Sequence, residues 1–300
     1  MLEKAKPTTF AELIKVSGLS HGTNVWNDNA ESLITGTAKD LGKTLPKIDF
    51  KDIIGCRDDI MTDLIAYGVP APLAFKIMEF VRKGNPSKEE AKWNEYVDEL
   101  SKYPKIPRWY IWSCSRIKYM FPKAHATAYV VSALRIAWFK LYRPIFFYSA
   151  ILSKKMVAWD VDAFIAGTGA IKEELEALKI KPQNERKPKE EDLITTLELA
   201  LEMTVRGMKF LNVNLYKSEA TDFKVSEDKN GLYIPFAAID GLGGEVAKSI
   251  IQAREERPFQ TKTDFKNRTK VSSTIFNRLE ELGVFGDLPN DNQISFDLGL

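Results

Sequence analysis

Residues Ile239-Asp-Gly-Leu-Gly-Gly-Glu-Val-Ala247 lead into an apolar-faced helix over Lys248–Arg254. The pattern, hydrophobic-x-Gly-hydrophobic-Gly with Ala four residues on, is a helix-hairpin-helix signature. Gly241, Gly243 and Gly244 permit a tight turn around Leu242, bringing backbone N–H groups against a phosphate where the next helix presents its positive end. Lys248 and Arg254 add charge. Such a hairpin grips a DNA backbone without reading bases; the plainer alternative is a glycine-rich turn with only a packing role. A degenerate second hairpin is expected over 270–282, where Val271, Ile275, Leu279 and Leu282 are spaced for a helix but glycines are missing.

A second constellation is Lys118-Tyr-Met-Phe-Pro-Lys-Ala-His-Ala-Thr-Ala-Tyr129. Lys123 and His125 fall at a predicted helix start, where dipole and side-chain charge both favour an anion. His125 and Tyr129 are four residues apart, on one helical face. This arrangement suits a triphosphate; a helix cap with a core histidine is the competing account. The third is Gln293-Ile-Ser-Phe-Asp-Leu298, a polar residue followed by spaced apolar ones near the chain end, which has the form of a short docking peptide.

The elements that must position these groups read as mainly α. Helices are expected from residue 8 with a Gly/Ser loop at Ser17–Thr23, over 58–67, 72–83 and 86–107, and over 122–142, the last as a buried helix. Residues 35–50 read as a loop. The polar run 181–191 (KPQNERKPKEE) is the expected domain boundary. Beyond it come an amphipathic helix over 193–206, β-prone pieces at 223–225 and 232–236, helices from 245, and a flexible tail from 289.

Composition narrows the function. The chain has 300 residues, 44% hydrophobic and 28% charged, which suffices for a packed core. Two cysteines and two histidines leave no material for a four-cysteine zinc site or a disulfide framework. No apolar run spans a membrane, and the first residues lack a signal-peptide core, so a cytoplasmic setting is expected. The net charge is only +2, but residues 100–159 carry eleven Lys/Arg, no Asp or Glu, and fourteen aromatics. From 160 to 202 the sign reverses, with eleven acids against six bases. A basic stretch interleaved with rings is suited to phosphates and stacked bases.

FPKAHATAYVVSALRIAWFKLYRP (121–144), with SGLSHGT (17–23), GCRDDIM (55–61) and LAFKIMEFVRKG (73–84), resembles the fingers of bacterial C-family DNA polymerase III α subunits of the PolC type. The likeness runs from about residue 8 to the end. It implies a helical fingers domain over 1–188, which closes on the incoming dNTP. A small α+β duplex-binding domain would follow over 189–288, and a tail over 289–300 that docks on the sliding clamp. His21, Arg57, Lys123, His125 and Tyr129 would then touch dNTP or phosphate, Gly241–Gly244 and Lys248 the DNA backbone, and Gln293, Ile294, Phe296 and Leu298 the clamp. Asp240 stands where the family usually has proline before the first hairpin glycine, and Phe296-Asp297 disturbs the five-residue clamp pattern, leaving the six-residue form. The family's Mg²⁺-binding palm aspartates lie upstream of the fingers; Asp58-Asp59 lacks their context. The expectation is therefore the dNTP-, primer–template- and clamp-binding portion of a replicative polymerase, with no catalytic carboxylate, no bound cofactor and no activity of its own. A non-enzymatic DNA-binding and clamp-tethering module is the alternative; a helix-hairpin-helix nuclease lacks its carboxylate cluster.

Overall fold

A computed structural model describes residues 1–291. It is mainly α and divides into two compact units, Met1–Arg135 and Ile136–Leu300.

The first unit is built from seven helices and the start of an eighth: α1 (Leu2–Ala5), α2 (Phe10–His21), α3 (Glu31–Thr35), α4 (Arg57–Ala66), α5 (Ala71–Arg82), α6 (Glu90–Leu100), α7 (Arg108–Arg116) and α8 (Lys123–Tyr142). Its core gathers Leu19, Leu33, Ile53, Ile60, Leu64, Ile77, Val81, Tyr110 and Ile117. α2 starts on a capping box, with the Glu12 carboxylate accepting from Thr9 N–H and Thr9 Oγ1 accepting from Glu12 N–H. That helix continues to His21, so most of the stretch expected to be a loop at Ser17–Thr23 is helical. Gly18 is there for close approach, since a Cβ on it would lie 2.3 Å from Gly55 O. The expected loop at 35–50 contains a two-stranded hairpin, β1 (Lys39–Asp40) against β2 (Lys43–Thr44).

α8 runs over the expected residues but is not a buried helix: of its twenty residues only Ala126 is buried. Tyr129, Leu134, Ile136, Trp138, Phe139, Leu141 and Tyr142 are all exposed. Apolar composition predicts burial, yet each of these side chains is at least 41% exposed.

The second unit continues with α9 (Pro144–Lys154), α10 (Val161–Ala166), α11 (Thr168–Ile180), α12 (Pro188–Val205), β3 (Lys209–Leu211), β4 (Lys224–Val225), β5 (Gly231–Tyr233), α13 (Gly244–Glu256), α14 (Lys262–Arg268) and α15 (Ser273–Glu281). Central β5 pairs parallel to β3, with Phe210 opposite Leu232, and antiparallel to β4, with Val225 opposite Leu232. One core takes in Ile145, Phe164, Leu175, Leu197, Phe210, Phe223, Leu232, Ile250, Phe265 and Leu279. The polar stretch 181–191 is therefore not a boundary between compact units. The helices on both sides of it bury in the same core, and the division falls inside α8. Polar composition marked an exposed turn, with Arg186 donating to Lys181 O and Lys179 O. The expected loose tail is held at its start, because α14 donates from Lys262 N to Pro289 O at 2.8 Å and from Thr263 N to Asn290 O at 3.2 Å.

Candidate nucleic-acid interface

The segment 117–122 joins α7 to α8 as an extended strap, pinned on both sides. Thr23 N donates to Tyr119 O and Lys118 N to Thr23 O, Met120 N donates to Arg82 O, and Arg57 N donates to Phe121 O. Gly84 makes this approach possible: its φ is +72°, and a Cβ would sit 2.3 Å from Lys118 O. The strap thereby brings the starts of α4 and α8 together.

At that junction Asp58 and Asp59 act as caps. Asp58 Oδ2 accepts from Lys123 N at 2.7 Å, occupying the anion position at the start of α8. Asp59 Oδ2 accepts from Gly55 N and Cys56 N, both at 3.0 Å, and its Oδ1 takes Lys123 Nζ at 3.0 Å. Hydrogen bonding to Asp59 raises the Lys123 pKa, so the ammonium stays charged. The triphosphate candidate Lys123 thus has a carboxylate partner within the chain, which its sequence context did not reveal. The signal was present in Cys-Arg-Asp-Asp, where the third residue after an N-cap reaches back to free N–H groups.

His21, Phe121, His125 and Tyr129 form a continuous row of rings, with successive centroids 5.3, 4.7 and 4.5 Å apart. His21, His125 and Tyr129 are exposed, so the row presents one aromatic edge to solvent. His21 Nδ1 donates to Ser17 O at 2.8 Å, which turns Nε2 outward. Nearby, Glu79 binds Arg82 through two short contacts of 2.5 and 2.7 Å, while Arg57 and Lys83 approach it only to 3.8 and 3.6 Å. Three cations thus surround one carboxylate, whose pKa is held down chiefly by the Arg82 hydrogen bond. Arg57 Nε is buried without a hydrogen-bond partner among the described residues, with Asp58 Oδ2 3.9 Å away. Against Glu79 and Asp58 together, Arg57, Arg82 and Lys83 leave an excess of one positive charge, which favours an anion.

In the second unit the hairpin is formed as its sequence requires. Ile239, Leu242 and Ala247 are buried, Leu242 N donates to Ile239 O at 3.0 Å, and Gly241 has a φ of +80°. Gly243 caps α13 in extended conformation without a side-chain bond, leaving the N–H groups of the first turn free of side-chain partners. A Cβ on Gly243 would meet nothing within 4 Å, so packing does not require glycine there. Lys248 pairs with Glu245 at 2.7 Å, and both are exposed; Asp240 pairs with Lys189 at 3.0 Å. Arg254 plays a different part: its guanidinium is nearly buried and donates to Leu215 O and Ser218 O, holding the fold. Within the expected second hairpin at 270–282 the structure has one helix, α15, capped by the Ser272 side chain with Ile275 and Leu279 buried; α14, capped by Thr261, ends before it. The clamp-peptide residues Gln293, Ile294, Phe296 and Leu298 lie outside the described residues.

Mg²⁺ is the cofactor the resemblance implies, and the acids near this interface do not fit it. No group of three or more His, Cys, Asp or Glu converges as a metal site among the described residues. The oxygens of Asp59 and Oδ2 of Asp58 are directed to N–H groups and to Lys123 instead. No helix of the described chain is long and apolar enough to cross a membrane.

Two family models match. Residues 1–103 match the bacterial DNA polymerase III alpha subunit finger domain, and residues 207–294 match a helix-hairpin-helix motif. The chain is 46% identical over 297 residues to a DNA polymerase III PolC-type from Streptococcus suis, covering 98% of this chain and 20% of the relative. It is 46% identical over 296 residues to that of Halalkalibacterium halodurans (98% and 19%) and 48% identical over 297 residues to that of Streptococcus thermophilus (98% and 20%). The chain thus spans about a fifth of the length of the curated relatives it matches.

Proposed function

Because this chain belongs to the PolC-type DNA polymerase III family, we propose that it is the fingers and duplex-binding portion of a replicative DNA-directed polymerase. In this reading the first unit contacts the incoming dNTP, the hairpin of the second unit holds the primer–template backbone, and residues 293–298 engage the sliding clamp. The observation that carries the DNA reading is the open start of α13 after Gly243, a set of uncapped N–H groups at a position where packing does not demand glycine. The ring row from His21 to Tyr129, beside Arg57 and Arg82, supports the nucleotide reading. Rings give stacking surface, and the one excess positive charge of the Arg57, Arg82 and Lys83 cluster attracts phosphate.

The residues of this chain would contribute binding and orientation; chemistry at two metal ions belongs to carboxylates it does not supply. Gly243→Val tests the duplex contact by fluorescence anisotropy. Affinity should fall across all sequences with the circular dichroism unchanged, and equal affinity would remove the hairpin from the account. The 300-residue chain alone, given primer–template, dNTP and Mg²⁺, should not extend the primer; robust extension by the pure chain would refute this division of labour. A chain that binds DNA and the clamp, while Lys123 and His125 variants of a complete polymerase keep an unchanged apparent KM for dNTP, would instead be a tethering module.

A further inference from the structure

The hairpin of β1 and β2 turns on Leu41 and Gly42, whose φ values are +47° and +78°. Two positive-φ residues in a two-residue loop are the setting of a primed turn, where Asn-Gly is the relaxed choice and leucine is strained. This leucine is 88% exposed, so the folded chain gains nothing from its apolar surface. Its base is rigid. Trp112 Nε1 donates to Lys39 O at 3.0 Å, Arg108 Nε donates to Asp40 Oδ2 at 2.6 Å, and Leu45 N donates to Ala38 O at 2.8 Å, with Ala38 and Leu45 buried. Lys39, Lys43 and Lys47 are exposed around it, and none makes an ion pair among the described residues. The one acid of the turn, Asp40, is already neutralised by Arg108.

We propose that the β1–β2 hairpin is a nucleic-acid wedge, in which Leu41 inserts against a base step while Lys39, Lys43 and Lys47 take the flanking phosphates. Apolar side chains driven between bases from a cationic support are an established way to unstack a strand. An uncharged protein pocket would leave the three lysines uncompensated, which is why the charge favours nucleic acid. The inference rests on the DNA-binding reading of the chain and adds to it a second contact, in the first unit, that separates bases instead of only holding a backbone.

The test uses the whole 300-residue chain and a primer–template oligonucleotide with a 5′ template overhang, carrying 2-aminopurine at successive template positions. Wild type should brighten 2-aminopurine at one or two positions, reporting an unstacked base. Leu41→Asn suits the turn better and should raise the melting temperature while abolishing the brightening; Leu41→Met should retain it. Replacing Lys39, Lys43 and Lys47 together by Ala should reduce the slope of log affinity against log salt by about 2 to 3, from roughly 0.7 to 0.9 per phosphate contact. Brightening unchanged in Leu41→Asn overturns the wedge. The two readings fail separately. If Gly243→Val still weakens binding while every hairpin variant matches wild type, only the wedge is lost; if wild type binds no DNA at low salt, both fall.

Discussion

Lys123 and Asp59 meet across the first turn of α8, with Nζ 3.0 Å from Oδ1, the lysine half-exposed and the carboxylate almost buried. That asymmetry makes Asp59 the structural partner and Lys123 the one with a free side toward solvent. Asp59 also holds the N–H groups of Gly55 and Cys56, so it ties the start of α4 to the start of α8. Asp59→Ala should lower stability by about 2 to 3 kcal/mol, through lost capping and an unpaired lysine. Lys123→Ala should cost less, about 1 kcal/mol, since Asp59 keeps two N–H donors. Urea unfolding of both variants measures the order; a larger cost for Lys123→Ala would reverse this account of the pair.

In a complete polymerase, Lys123→Ala and His125→Ala should each raise the apparent KM for dNTP more than that for DNA. Steady-state titration of each substrate separates the two. A fall in DNA affinity alone would make the ring row a duplex contact.

Asp63 gives a pH prediction. It lines a cleft of about 740 Å³ with Lys15, Lys51, Tyr67, Trp109 and Lys123. Burial, with the Asp59 charge adding, pushes its pKa from 3.8 to about 6. A carboxyl with a raised folded-state pKa holds its proton more tightly in the folded chain. Its contribution therefore favours folding at low pH and is lost as pH rises from about 4 through 6. Asp63→Asn should flatten stability across that window and raise it at pH 7 by about 1 kcal/mol, after discounting the full shift for the solvent-facing part of the carboxyl. Thermal melts from pH 4 to 8 test it; a variant less stable than wild type at pH 7 would refute the burial argument.

Two glycines of one hairpin should behave oppositely. Gly241, at φ +80° and with Ile275 Cδ1 3.3 Å from where a Cβ would lie, should lose about 1 to 2 kcal/mol of stability when changed to Ala. Gly243, in extended backbone with open space around it, should keep its stability on substitution and lose DNA affinity instead. Melting temperature and anisotropy measured on both variants separate fold from contact. Parallel losses in both would mean the two glycines serve packing alike.

Deleting residues 293–300 should abolish sliding-clamp binding and leave duplex binding nearly unchanged. Surface plasmon resonance on the immobilised clamp checks this, and equal affinity with and without the tail would remove the docking peptide.

The sequence by itself determined the elements whose signals are local. The hairpin at 239–247 was legible because Gly241 supplies a positive φ and because Leu242 and Ala247 are spaced for one apolar face; all are properties of neighbouring residues. Helices over 57–66 and 71–82 followed from spacing of the same kind. Tertiary structure alone decided what depends on distant partners. Gly18 read as a loop residue because a turn glycine and a close-approach glycine look alike until Gly55 is brought against it. The polar run at 181–191 read as a boundary, yet Leu175 and Leu197 on either side share one core, since exposure of a turn says nothing about where its flanking helices pack. The composition of α8 predicts burial, and the described chain buries only Ala126 of it. Lys123 was legible as a cation, while its pairing with Asp59, 64 residues earlier, arises only when the strap brings two helix starts together.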